Sequence, residues 1–242
     1  MTAPSGGGEA ERARRAFARA SWSGAATLAV AAGLLLLFPT KAGALPPGFQ
    51  TPILAFELAT DRAEIEALFD LPGSAHRAEL VHRMDLGNTA DFAFMVAYGG
   101  FLALFSLAVR TAGERRALVP AVLGPIGAIF DVLENTQLFA ITKALGGDYD
   151  GALARLRLFT WLKWETLALA LVLLAPWLLR GGGGRVGRVA GTVCALAGLF
   201  GALAFFDRTH FAELFSLFLS LGFVGLLVVA TLRGKAPALA AR

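Results

Sequence analysis

Apolar residues in this chain neither alternate nor form narrow stripes; they gather in six long blocks, at 22–38, 91–109, 117–142, 159–179, 186–206 and 211–232, joined by polar links. A helix needs about 20 such residues to cross a hydrocarbon layer roughly 30 Å thick. Backbone exposed to lipid must satisfy its own hydrogen bonds, which leaves helices or a closed barrel, and the period-2 pattern of barrel strands is missing. The pattern predicts an all-α fold: a polytopic membrane helix bundle with six transmembrane helices over 22–232, between a basic N-terminal segment, 1–21, and a tail, 233–242.

The longest polar stretch, about 40–90, predicts a short helical cap on one face of that bundle. Pro46-Pro47-Gly48 marks a turn, and an apolar run at 52–59 follows that could dip into the membrane interface. Asp61-Arg62-Ala63-Glu64 has the D-x-x-E form of a helix start, Ala63, Ile65, Leu68 and Phe69 give an apolar face, and Leu71-Pro72-Gly73 ends it. A second short helix is expected from after Ser74 to about Asp85. Two such helices lying on the surface would shield a pocket from water.

Composition agrees with a membrane protein, at 56% hydrophobic and 17% charged residues. The distribution of charge gives the orientation. The segments at 1–21, 110–116, 180–188 and 233–242 hold 13 basic and 3 acidic residues, and the rest of the chain holds 9 basic and 15 acidic. Lys and Arg favour the cytoplasmic side, so both termini are expected inside, with the cap outside, in a multi-pass protein of the cell inner membrane. The basic residues are scattered without interleaved aromatics, so no nucleic acid is expected as a partner; membrane lipids are. Arg14-Arg15 before the first block and Ala42-Gly43-Ala44 after it resemble a twin-arginine signal with its cleavage site. The block is longer and richer in Leu than a signal core, which favours a retained span. The lone Cys194 has no disulfide partner and reads as a packing residue.

Ionisable groups inside spans are costly and are functional hypotheses by default. Asp131, Glu134 and Asn135 stand at i, i+3 and i+4, on one face of the third span. Two carboxylates that close repel, so either one is protonated or a cation or metal lies between them; Lys163, a turn or so inside the outer end of the fourth span, is an available partner. Asp91 and Tyr98, seven apart, share a face of the second span. These six are expected to line one outward-opening polar cavity. Asp131, Glu134 and Lys163 take the catalytic roles, as acid, base and pKa-tuning group, and Asp91, Tyr98 and Asn135 bind the ligand.

Bland readings apply to several other residues. Trp22, Trp161, Trp164 and Trp177 sit near span ends as interfacial anchors, Glu165 and Glu213 read as solvated helix ends, and His210 lies in an exposed turn. His76 and His82 with Asp85 match no compact ligand spacing, so no metal is expected, and no cofactor either. Gly181 to Gly184 reads as a flexible link. The small-residue stripe Gly187, Gly191, Ala195 and Gly198 favours close helix contact, and Pro120 and Pro125 with Gly124 and Gly127 predict a kink.

The order Asp91-x6-Tyr98, then Asp131-x-x-Glu134-Asn135, then Lys163-Trp164 resembles a group of uncharacterised small bacterial integral membrane proteins that carry a D-x-x-E-N motif. The resemblance covers roughly residues 22–180 and implies a helical inner-membrane protein; it implies no activity. The leading expectation is binding or modification of a lipid or apolar small molecule in the outward-facing pocket. The alternatives are a proton-coupled transporter and a structural or accessory membrane subunit. A closed pocket, a path through the bundle or a cluster without a cavity tells these apart. Nothing in the sequence sets the oligomeric state.

Overall fold

The structure, a computed structural model, describes residues 6–235; the first five residues and the last seven, among them Arg242, lie outside the described residues. Eight α-helices follow one another: α1 Gly6–Leu37, α2 Pro52–Glu57, α3 Arg62–Leu68, α4 Ala75–Thr111, α5 Leu118–Lys143, α6 Asp150–Trp177, α7 Gly184–Phe206 and α8 Arg208–Lys235. All but α2 and α3 are long and apolar enough to cross a membrane, and the described residues contain no strand.

The six long helices close into an antiparallel ring in the order α1, α4, α5, α6, α7, α8 and back to α1. Ser21 hydrogen-bonds Thr231 across the closing pair, while Phe17 meets Phe105, Tyr98 meets Asp131, Thr160 meets Glu134 and Phe215 meets Gly201 across others. An antiparallel ring of six puts Gly6 and Lys235 at one end, together with the basic links after α4 and α6. The opposite end carries α2 and α3 and is called the cap end below.

Small residues set how closely the helices approach. A methyl group on Gly124 would lie 2.7 Å from Leu102 Cβ, and one on Gly127 2.7 Å from Leu167 Cδ2. Helix α5 continues through Pro125, in a stretch that packs closely against α4 and α6. Gly198 presses on Val172 of α6 and Gly191 on Leu178 just after it, which places these two glycines of the stripe at an interface within the chain, while Ala195 is exposed. The link after α6 is not a loose tether. Leu178–Gly182 forms a widened helical turn containing Gly181 at φ +99°, and Gly182 lies against the Trp177 ring, where a side chain would collide.

Helices α4 and α6 begin well before their apolar blocks, sixteen residues ahead of Asp91 and nine ahead of Phe159. At 1.5 Å per residue these extensions add roughly 24 and 14 Å. The expected second cap helix is therefore the first part of α4, continuous with the span. The extensions create a second apolar core, in which Phe56, Ile65, Leu68 and Phe69 of the cap pack on Met84, Leu138, Ile141 and Leu156.

Polar bonds hold the cap in register. Asp61 Oδ1 accepts from Glu64 N at 2.9 Å, the N-cap read from the sequence, and Ser74 Oγ accepts from Arg77 N at 3.0 Å at the start of α4. Arg208, from the turn between α7 and α8, donates to Leu58 O at 2.9 Å and Thr60 Oγ1 at 3.1 Å and pairs with Glu64. Glu213 accepts from the backbone N–H groups of Gln50 and Thr51 at 2.8 and 2.9 Å, so it closes the N-terminus of α2 and is not a solvated helix end.

Candidate functional site

Lys163 stands at the centre of the site. It lies thirteen residues into α6, roughly 20 Å from that helix's start and one turn inside the apolar block that begins at Phe159. Its ammonium pairs with Glu134 and lies 3.3 Å from Asp131 Oδ1, both from the inner face of α5. The third partner comes from the cap: Glu57, the last residue of α2, places Oε2 3.0 Å from Lys163 Nζ. The four side chains are almost wholly buried; Glu134 has no exposed surface.

Hydrogen bonds from neighbouring helices fix this group. Tyr98 Oη of α4 donates to Asp131 Oδ2 at 2.8 Å, and Trp164 Nε1 donates to Glu57 Oε2 at 3.0 Å. Trp164 is thus a partner of the cluster and not an interfacial anchor; Trp22, largely exposed, keeps the anchor's position. Asn135 Nδ2 donates to Asp91 Oδ2 at 3.2 Å and to Asn88 O at 3.0 Å, forming a second polar pair beside the first. The buried Asn88 side chain has no hydrogen-bond partner among the described residues.

Charge and proton counts make this arrangement unusual for a plain helix lock. Three carboxylates meet one ammonium, and buried like charges at such range do not all stay ionised without compensation. Thr160 Oγ1 lies 2.6 Å from Glu134 Oε1 and 3.0 Å from Glu57 O. One hydroxyl proton cannot serve both acceptors fully. A proton on Glu134 Oε1 donated to Thr160 would let Thr160 donate onward to the Glu57 carbonyl. Lys163 occupies the point where a cation would sit between the carboxylates.

All six residues singled out in the sequence converge, but they do not line an open cavity. The cavity nearest the cluster, about 240 Å³, is walled by Glu57, Arg157, Thr160, Trp161, Phe205 and Arg208 together with their neighbours, and by none of the six. Glu57 belongs to both, with Oε2 on Lys163 and its residue on the cavity wall. Its signal in the sequence was a lone carboxylate inside the apolar run 52–59. Thr160, one turn before Lys163, and Arg157, one turn earlier again, carried no signal apart from that spacing. Glu165 lies on another face of α6, half-buried, with Oε1 unpartnered among the described residues. His76 Nδ1 rests 3.0 Å from Asp70 Oδ2 and His82 is exposed, so the two do not converge.

At the rim, Glu66 joins α3, α4 and α6. It accepts from Arg77 Nη2 at 2.7 Å, Gly146 N at 2.9 Å and Tyr149 Oη at 3.0 Å. Partial burial alone would push the Glu66 carboxyl up, but these three donors outweigh it and hold it below the usual carboxylate range. Burial, followed by the bond to Glu66, pushes the Tyr149 phenol up to about 12.

Six apolar spans in a closed ring, with buried ionisable groups toward one end, define a multi-pass helical membrane protein. No family model matches the chain, and neither a curated protein nor a solved structure is similar to it.

Proposed function

We propose that this protein sits in a bacterial inner membrane with its cap outside, binds a lipid or other apolar small molecule in the cavity between the cap, α6 and α7, and exchanges a proton with it through the buried cluster. The observation that carries the reading is the double placement of Glu57, on the cavity wall and on Lys163. Glu57 presents the carboxylate to the ligand, and Glu134, which pairs with the same Lys163 ammonium, holds the proton. Asp131 and Lys163 set the charge balance, Tyr98 orients Asp131, and Asp91 with Asn135 supports the group from the cap side. The basic segments at the end away from the cap support the orientation.

A through-path for ions is disfavoured by the other half of the bundle. Its interior is filled by Phe17, Phe101, Phe105, Leu171, Leu174 and Leu226, and α5 and α6 carry no ionisable residue between Arg116 and Asp131 or between Glu165 and Arg180. Protons then enter and leave from the cap end. Native mass spectrometry of protein gently extracted from its own membrane tests the proposal. The parent chain is expected to carry a defined small-molecule adduct that Glu57→Gln holds more weakly and less selectively while keeping its thermal unfolding temperature. No adduct on either, with Glu57→Gln much less stable, overturns it in favour of a structural role.

A further inference from the structure

The cavity beside Glu57 has chemistry at two ends. One is the Arg157 guanidinium, exposed on α6 and without a hydrogen bond or ion pair among the described residues. The neighbouring Arg208 differs, because Glu64, Thr60 and Leu58 O already hold it. The other end is Glu57. Its Oε2 takes both Lys163 Nζ and Trp164 Nε1, and its Oε1 has no hydrogen-bond partner among the described residues, on a residue that lines the cavity. Between them stands Thr160, whose hydroxyl is used internally.

The third side is apolar. Phe205 and Phe206 close α7 at 60% and 86% exposure, next to Trp161. Exposed phenylalanines at a span end form apolar surface for lipid to cover, and Trp161 beside them is of the type found at the boundary between hydrocarbon and headgroups. This is the side of the cavity assigned to the lipid. About 240 Å³ is the space of roughly eight waters at 30 Å³ each, which suits a group of about that many heavy atoms.

Resting on the function proposed above, we infer that this cavity takes a phospholipid headgroup bearing both a phosphodiester and a hydrogen-bond donor. The phosphate meets Arg157 through charge-assisted bonds, a terminal ammonium reaches Glu57 Oε1, and the acyl chains leave over Phe205 and Phe206. Phosphoethanolamine has this pattern and size. Phosphocholine has the phosphate but its trimethylammonium has no N–H to give, and diacylglycerol has neither charge.

Delipidated full-length protein is titrated by native mass spectrometry with phosphatidylethanolamine, phosphatidylcholine and diacylglycerol of matched chains, and separately with inorganic phosphate. Phosphatidylethanolamine is expected to bind best, and phosphatidylcholine roughly tenfold more weakly, the effect of one lost charge-assisted bond. Arg157→Gln weakens both phospholipids by a similar factor, and Glu57→Gln removes the preference between them. Arg157 is exposed and makes no bond within the protein, so its variant folds. Equal binding of all three lipids, or no effect of Arg157→Gln, overturns the headgroup assignment. Preferred binding of diacylglycerol overturns it while leaving the function of the cavity standing. Binding of inorganic phosphate with no lipid retained marks a site for free phosphate and overturns both, as does no retained ligand in any arm.

Discussion

Lys163 is the residue on which the buried group depends. Single polar contacts between membrane helices average only about 0.6 kcal/mol, but removing the one cation from a buried ionic group costs on the order of 3–5 kcal/mol because it strands the opposite charges. Here it strands three carboxylates. Lys163→Met is expected to lower the thermal unfolding temperature in detergent sharply, and adding Glu134→Gln with Asp131→Asn to recover much of the loss. A Lys163→Met protein as stable as its parent would contradict the geometry. Tyr149 offers a second residue-level test. The chain has two tyrosines, so Tyr98→Phe leaves Tyr149 as the only phenol, and its absorbance is expected to titrate at about 12. A phenol raised in the folded state stabilises fully below its ordinary value and loses that contribution as pH rises toward 12. At this scale Asp131, Glu134 and Asn135 were legible because helical spacing fixes which residues share a face. Glu57 was not, because only the tertiary fold brings α2 to Lys163.

Among elements, the cap is the part most open to change. Glu213 accepts from the N–H groups of Gln50 and Thr51, the two residues that lead into α2, and so ties that turn to α8. Glu213→Ala should speed hydrogen exchange over 50–57 and leave the spans unchanged; uniform exchange in both proteins would show that the cap is held some other way. Gly48 adopts φ +86°, with the Thr209 carbonyl where a Cβ would point, so Gly48→Ala should loosen the same contact from the other side. Acid acts through Glu66. A carboxyl held below its ordinary range stabilises the fold above that range and loses the contribution as pH falls through its folded value. The thermal stability of the parent is expected to drop with acidification more than that of Glu66→Gln. The number and type of long helices were readable from apolar block length alone. A helix after Ser74 was readable too, but its continuity with the span and the start of α6 at Asp150 were not, because residues 86–90 and 150–158 carry the polar pattern of a surface.

For the molecule as a whole, the ring of six helices divides into an apolar half toward the termini and a polar half under the cap. That division matches the uneven spread of acidic residues in the sequence, where 15 of 18 fall outside the four basic segments. It leaves a cavity at the cap end and a charge cluster beside it, joined by Glu57. The sequence showed the cluster and not the cavity, since the cavity walls come from the cap, α6, and the turn between α7 and α8. The central claim is that the cluster holds an exchangeable proton in communication with the cavity. Infrared spectra of the delipidated protein in H2O and D2O, before and after adding phospholipid, test it most directly. At neutral pH a protonated carboxyl band is expected that is absent in Glu134→Gln and changes when lipid is added. A spectrum with only ionised carboxylates, indifferent to lipid, would contradict it and leave the cluster as a fixed lock between helices.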